Sequence, residues 1–226
     1  MKKEFTGVGN GSNRVYPEIS RNIVFLGSHD GGWTICPDDI DESSVVYSFG
    51  VGEDITFDLS MIERFGAEVF AFDPTPRSKE YIENFDLPRQ LHFFDYGIYD
   101  CDASIPLYPP KNPKYVDFSI IPKTRISDSI DLPMKRLRTI VDELGHEKID
   151  ILKMNIEAAE YKVIPDIAEL IGEGFRIDQI LIEFHHHRFK ELEFSDTQEM
   201  LSILNGLGYR IFSNRGYERI SFINLS

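Results

Sequence analysis

The sequence predicts an α/β fold built on a mostly parallel central sheet, with helices on both faces and an antiparallel hairpin at the C-terminus. From residue 45 onward, apolar runs alternate with helical patterns, which is typical of a parallel α/β sheet. Several runs are apolar on both faces, as expected of central strands that helices cover. The chain ends in two short apolar runs separated by a turn at 214–216, which predicts an antiparallel pair.

Five apolar runs are the predicted parallel strands. They are 45–49, 68–72, 91–94, 149–154 and 180–184. The hairpin strands are predicted at 209–212 and 219–223. The proline-rich stretch 100–130 fits only loops and short edge strands, and an insertion at this point often shapes a substrate site.

Helical spacing predicts the connecting helices. One group is Ile55, Leu59 and Ile62, and another is Met134, Leu137, Val141 and Leu144. A later helix is expected to start near Asp196, whose side chain would cap its first turn. Pro165 predicts a kink or a fresh helix start within 157–171.

Residues 1–44 show no sustained periodicity of apolar residues and are rich in Gly, Asn, Ser and Asp. They are predicted to be an irregular lead-in packed on the core, and 45–226 is predicted to be the main domain. The N-terminus lacks the apolar segment of a signal peptide, and no apolar run approaches the ~18 residues that span a bilayer.

Composition excludes several classes of function. The 226 residues carry 24 basic and 38 acidic side chains, giving a formal charge of −14. Nucleic-acid recognition draws its affinity from clustered Lys and Arg, so this balance argues against a nucleic-acid partner and against an anionic membrane surface. Cys36 and Cys101 have no metal-ligand spacing; reduced cysteines and a cytoplasmic location are therefore expected.

A glycine-containing turn and an acidic residue indicate a nucleotide site. Gly50 and Gly52 follow the first predicted strand and lead into a helix, where glycines let the backbone approach a ligand closely. Asp73 closes the second strand, where an acidic side chain can accept both ribose hydroxyls. A tight strand–helix turn with no ligand is the alternative.

Two details favour S-adenosylmethionine over a dinucleotide. Ile55 stands where the dinucleotide fingerprint requires a third glycine. Glu53 and Asp54 lie at the helix start, where they would repel a pyrophosphate. S-adenosylmethionine carries no phosphate, and acidic neighbours stabilise its ammonium and sulfonium.

Four ordered motifs resemble those of the FkbM-type methyltransferases. They are YSFGVGED at 47–54, AFDPTP at 71–76, DILKMNIEAAEY at 150–161 and IEFH at 182–185. The resemblance implies the Rossmann-like class I methyltransferase fold, S-adenosyl-L-methionine as the cofactor, and transfer of a methyl group to an oxygen of a sugar or another small metabolite.

Two positions depart from the family pattern. The fourth-strand motif typically has Asp where this chain has Asn155, and Gly where it has Ala158. Asparagine keeps a hydrogen-bonding oxygen but loses the charge, so it cannot act as a general base. These changes bear on the family's chemistry and not on its fold.

The ends of the fourth and fifth strands supply the catalytic candidates. Asn155, Glu157 and His185 are expected to orient the acceptor, and Glu157 and His185 to remove its proton. A metal constellation of Glu183, His185 and His187 is the alternative, and no metal is predicted.

The cofactor candidates lie at the ends of the first three strands. Besides Gly50, Gly52, Glu53, Asp54 and Asp73, they include Gly97 and Ile98, which are predicted to lie along the adenine.

The resulting hypothesis is an S-adenosylmethionine-dependent methyltransferase acting on the oxygen of a small hydroxylated metabolite or sugar unit. One rival is a degenerate methyltransferase-like binding module, motivated by Asn155 and Ala158. A second rival is a nicotinamide oxidoreductase. The sequence indicates neither the acceptor nor the oligomeric state.

Overall fold

The fold is taken from a computed structural model that describes residues 14–112, 115–122, 128–216 and 218–226. The strands are β1 (Val24–Leu26), β2 (Trp33–Ile35), β3 (Val45–Phe49), β4 (Glu68–Phe72), β5 (Leu91–Phe94), β6 (Gly97–Ile98), β7 (Ala103–Leu107), β8 (Ile130–Lys135), β9 (Lys148–Met154), β10 (Arg176–Glu183), β11 (Tyr209–Arg215) and β12 (Arg219–Asn224). The helices are α1 (Thr56–Phe65), α2 (Pro76–Ile82), α3 (Leu137–Leu144), α4 (Glu160–Gly172) and α5 (Phe194–Gly206).

The central sheet has the order β11-β12-β10-β9-β3-β4-β5. The strands from β10 to β5 run parallel, whereas β12 pairs antiparallel with both β10 and β11. The predicted parallel strands and the C-terminal hairpin are therefore confirmed. The chain leaves β3 toward β4 and β5 and later returns to β9 on the other side of β3. This reversal opens a crevice at the carboxyl ends of β3 and β9, where open α/β sheets bind ligands.

Helices cover both faces of the sheet, as predicted. Successive residues of a strand point to opposite faces, so Tyr47 packs in the cluster that contains the apolar sides of α3, α4 and α5. Its neighbour Val46 packs with Phe57 and Met61 of α1 on the other face. The two apolar layers explain why β3 is almost entirely apolar in sequence.

The N-terminal segment contains a short hairpin that the sequence did not predict, because strands of three residues are too short to show a period. β1 pairs antiparallel with β2, and the buried Trp33 and Ile35 pack in the same cluster as Val46. The Gln179 side chain accepts from the backbone N–H of Cys36 at 2.9 Å and donates to its carbonyl at 2.8 Å. The described part of the lead-in therefore lies against the sheet.

Three helix predictions need correction. Met134 belongs to β8 and pairs with Ala103 of β7, so α3 starts only at Leu137. Asp196 is the third residue of α5 and accepts from the N–H of Glu193, which is the N-cap; the two residues form a capping box. α4 runs from 160 to 172 through Pro165, so the fresh start does not occur, whereas the alternative, a kink at Pro165, stays a prediction.

The described residues of the stretch 100–130 form short strands and loops, as predicted, and residues 113–114 and 123–127 lie outside the described part. β7 and β8 join β6 in a small sheet of order β6-β8-β7. Within the described residues, none of the helices is long and apolar enough to cross a bilayer.

Candidate functional site

A cavity of about 290 Å³ opens at the carboxyl ends of β3, β4 and β9. This volume is at the lower end of the range for small-molecule sites. Its walls come from the turn after β3, the end of β4, the strand β6, the end of β9, the N-terminal segment and residues 116–120. The sequence-predicted residues on its wall are Gly50, Gly52, Glu53, Asp54, Asp73, Gly97, Ile98, Asn155 and Glu157.

The two glycines of the turn after β3 serve different purposes. Both have positive φ, +79° at Gly50 and +59° at Gly52. A Cβ at Gly50 would lie 1.8 Å from the backbone oxygen of Asn155. Its missing side chain thus makes room for the neighbouring strand end, and the close approach of a ligand at Gly50 stays a prediction. At Gly52 the nearest atom to such a Cβ is a methyl group of Val116, at 3.2 Å.

Asp73 is buried at the end of β4, and its carboxylate orders the turn. Its Oδ2 accepts from the N–H of Gly52 at 2.9 Å. Its Oδ1 accepts from the N–H and the hydroxyl of Thr75 at 2.9 and 2.6 Å. A carboxylate offers about four acceptor positions, so roughly one remains. Asp73 therefore has capacity for about one further donor beside these protein groups, and its binding of the ribose hydroxyls stays a prediction.

Glu53 and Asp54 line the cavity but are both engaged by protein groups. Glu53 forms a two-pronged ion pair with Arg77 at 3.0 and 2.9 Å. Asp54 accepts from the Ser28 hydroxyl at 2.5 Å and from the N–H of Thr56 at 2.9 Å, at the start of α1. Burial acts to raise the pKa of Asp54, but the hydrogen bonds from Ser28 and Thr56 have the larger combined effect, so the pKa lies below its ordinary value. Asp54 thus joins the N-terminal segment to the glycine turn.

The opposite wall is apolar. Gly97 and Ile98 lie next to Leu107 and Met134 in the cavity lining. A Cβ at Gly97 would lie 2.7 Å from the Met134 sulfur, so a larger residue there would require the Met134 side chain to shift. Residues 116–120 close this side, and Arg77 donates to the carbonyl of Tyr115 at 3.1 Å. The result is a largely apolar stretch of wall, which suits the face of an aromatic ring.

Asn155 and Glu157 present polar atoms at the end of β9. The Oδ1 atom of Asn155 is buried and has no hydrogen-bond partner in the described part of the chain. Glu157 and Ala158 both have positive φ, +49° and +77°, which costs a non-glycine residue of order 1–3 kcal/mol. Such strain clusters at functional sites. This bend brings Glu157, which is only 8% exposed, to the cavity wall.

His185 does not line the cavity, and its predicted contact with the acceptor is wrong. It is fully buried behind Glu157. Its Nδ1 lies 2.9 Å from an oxygen of Glu160, and its Nε2 lies 3.3 Å from an oxygen of Glu157. Burial alone would lower the pKa of His185, but the two glutamates raise it to about 10. A protonated imidazole cannot take a proton from a hydroxyl, and the sequence could not reveal this because Glu160 meets His185 only in the fold.

β10 ends at Glu183, so Glu183, His185 and His187 do not share a strand face. Among the described residues, no group of three His, Cys, Asp or Glu side chains is arranged to hold a metal ion.

Two cationic residues on the cavity wall were not predicted. Lys153 is 5% exposed, and its Nζ donates to the Gly50 carbonyl at 2.7 Å. Its signal in the sequence was a lysine between Leu152 and Met154, near the end of a predicted central strand. Arg219 gave no such signal, because β12 reaches the site only by inserting beside β10. Its guanidinium pairs with Glu183 at 2.8 Å and lies 5.5 Å from the ring centroid of Trp33.

Comparison with known proteins decides the family. The model of the methyltransferase FkbM domain matches residues 44–211. The chain belongs to the FkbM methyltransferase family. In this family's fourth-strand motif, a glycine is typical at the position of Ala158, and the left-handed backbone of that residue explains the preference, since glycine adopts it without strain.

The curated relatives include two mammalian proteins. "Probable methyltransferase-like protein 24" from Homo sapiens is 29% identical over 191 residues, covering 73% of this chain and 46% of that protein. The Rattus norvegicus protein of the same name is 28% identical with the same coverage. This FkbM chain therefore spans less than half the length of these relatives.

Among solved structures, the Methanococcus jannaschii fibrillarin pre-rRNA processing protein aligns with a TM-score of 0.44 at 12% identity, covering 96% of this chain and 91% of that chain.

Proposed function

We propose that this FkbM-family chain binds S-adenosylmethionine and transfers its methyl group to an oxygen of a small hydroxylated metabolite or sugar unit. The observation that carries the proposal is the cavity at the carboxyl ends of β3 and β9, with Asp73 and the glycine turn on its wall. S-adenosylmethionine would supply an electrophilic methyl group on a sulfonium.

The residues on the wall fit such a cofactor. Asp73 keeps about one free acceptor position for a ribose hydroxyl. The wall at Gly97 and Ile98 is apolar, as the face of an adenine ring requires. Carboxylates around the turn suit the cationic end of the molecule, although Glu53 and Asp54 would act on it through their charge, since both are already paired.

Asn155 and Glu157 are the proposed catalytic residues. Methyl transfer is an in-line displacement, so the chain's main task is to hold the acceptor oxygen in line with the methyl group. The unpartnered Oδ1 of Asn155 can accept from an acceptor hydroxyl. The Glu157 carboxylate is the basic group beside it, and it is held in place by His185 and Arg188, each 3.3 Å away. His185 is thus a positioning residue.

A binding module without catalysis is the second candidate. It is favoured by Asn155, which stands where the family typically has an acid, and by the position of His185 behind the cavity wall. This candidate predicts cofactor binding without methyl transfer to any acceptor.

Isothermal titration with S-adenosylhomocysteine tests cofactor binding. Asp73→Asn should weaken binding by about 10-fold or more, because a charge-assisted hydrogen bond contributes roughly 1.5–3 kcal/mol. Asp95→Asn is the matched control, since Asp95 follows the next strand of the sheet but is exposed and does not line the cavity. Absence of binding to the wild-type protein would refute the proposal.

Methyl transfer is tested with radiolabelled S-adenosylmethionine and a panel of hydroxylated metabolites. Glu157→Gln and Asn155→Ala should cut turnover while leaving cofactor affinity within a few-fold. Binding without turnover on the whole panel would favour the binding module.

A further inference from the structure

The charges on the cavity wall are unevenly distributed. Six carboxylates line it among the described residues: Asp30, Glu53, Asp54, Asp73, Asp117 and Glu157. Only two cations do so in the same part of the chain, Lys153 and Arg219. The amino-acid end of S-adenosylmethionine carries one ammonium and one carboxylate. The ammonium has several candidate partners, whereas only these two described side chains offer the carboxylate a full positive charge.

Arg219 is already committed to the protein. Its Nε donates to Glu183 at 2.8 Å, and its guanidinium packs near the Trp33 ring. Glu183 is only 3% exposed, so drawing Arg219 away would leave a buried carboxylate with less compensation.

Lys153 is differently placed. Its ammonium has three donors, and the structure shows one hydrogen bond, to the Gly50 carbonyl. Within the described part of the chain, no carboxylate lies within the 4.0 Å ion-pair distance of its Nζ. Burial lowers the pKa of Lys153, even though the charges of Asp58, Asp73 and Glu183 act in the opposite direction. A buried ammonium with open donors is costly unless an anion joins it.

We propose that Lys153 binds the carboxylate of the cofactor's amino-acid end. The inference rests on the proposed function and assigns a residue to a part of the cofactor that the sequence analysis left without a partner. Lys153 is suited to this task because its Nζ is fixed at the glycine turn by the Gly50 carbonyl and borders the cavity. The burial of Lys153, which is only 5% exposed, strengthens the pairing.

The test combines a change in the protein with a change in the ligand. Affinities of S-adenosylhomocysteine and its decarboxylated analogue are measured by calorimetry for the wild type and for Lys153→Met. The wild type should prefer the carboxylate-bearing ligand by about 10- to 100-fold, the value of a charged hydrogen bond. In Lys153→Met this preference should fall to within about 2-fold, because only the interaction between the two altered groups is lost.

Two control variants separate Lys153 from its neighbours. Lys148→Met removes a lysine from the same strand, but Lys148 pairs with Asp150 and does not line the cavity, so the preference should persist. Arg219→Met removes the other lining cation, and the preference should persist there as well. Loss of the preference in Arg219→Met and not in Lys153→Met would overturn the inference.

Folding of the Lys153 variants is checked with 5′-methylthioadenosine, which lacks the amino-acid end and should bind them as it binds the wild type. Lys153→Gln is the second variant if Lys153→Met does not fold. Equal binding of both ligands to the wild type would overturn the inference even without a variant. If none of the three adenosine ligands binds the wild type, the proposed function fails and the inference fails with it.

Discussion

Gly50→Ala gives the sharpest test of how the end of β3 is built. Ala at this position must adopt a φ of +79°, which costs about 1–2 kcal/mol. Its Cβ would also lie 1.8 Å from the Asn155 oxygen. Because that atom is backbone at the end of a central strand, relief requires β3 and β9 to separate.

The cost follows from the hydrogen bonds that such a separation breaks. The N–H of Asn155 donates to the Phe49 carbonyl at 3.0 Å, and Lys153 donates to the Gly50 carbonyl at 2.7 Å. These bonds contribute about 1 kcal/mol and about 2 kcal/mol respectively. With the backbone strain, the loss is roughly 4–5 kcal/mol, which lowers the Tm of a chain of this size by roughly 10–20 °C.

Thermal unfolding followed by circular dichroism measures the loss, and Gly145→Ala is the matched control. Gly145 has a φ of +72°, but nothing lies within 4 Å of a Cβ built there. Its variant should therefore show only the backbone strain, a Tm shift of about 2–8 °C. Equal shifts for the two variants would refute the steric account of Gly50.

Three further predictions concern His185, Ala158 and Asp54. The folded-state pKa of His185, about 10, lies above the unfolded value of about 6.5. The contribution of His185 to stability is therefore complete below about pH 6.5 and is lost as pH rises through about 10. NMR should find the His185 ring protonated at pH 8, and a neutral ring at that pH would contradict this prediction. Ala158→Gly should change the free energy of unfolding by less than about 1 kcal/mol, because relief of backbone strain offsets the lost buried methyl group and the added entropy of the unfolded state. Urea denaturation measures this change, and a larger loss of stability would argue against backbone strain at Ala158. Asp54→Ala should destabilise the fold by about 1–2 kcal/mol through loss of the bonds to Thr56 and Ser28, measured in the same way. Asp30→Ala, at an exposed acid in the N-terminal segment near Ser28, is expected to be neutral.

Local pattern predicted most of the elements correctly. The strands around 45–49 and 68–72 appear with the predicted bounds, because burial on both faces leaves a continuous apolar run. The pattern gave a wrong result at Met134. Met134 and Leu137 are three residues apart, as two residues on one helix face would be, but Met134 lies near the end of β8 and Leu137 is the first residue of α3. Asp196 was placed in the right turn, but as the cap and not as its partner.

The site was predicted in its location and only partly in its roles. Strand-end residues such as Asp73 and Asn155 could be predicted, because the carboxyl ends of parallel strands meet at one edge of the sheet. The buried position of His185 could not be predicted, because its partners Glu157 and Glu160 lie far from it in the chain and meet it only in the fold.

The sequence by itself determined the family, the fold class and the edge of the sheet where the cavity lies, since periodicity and motif order are local properties. Only the tertiary structure decided how the charges pair: Asp54 with Ser28, His185 with two glutamates, Arg219 with Glu183, and Lys153 with a carbonyl alone. Pairing depends on separations of a few ångströms between residues far apart in the chain, and Coulomb and desolvation energies change by several kcal/mol over such distances.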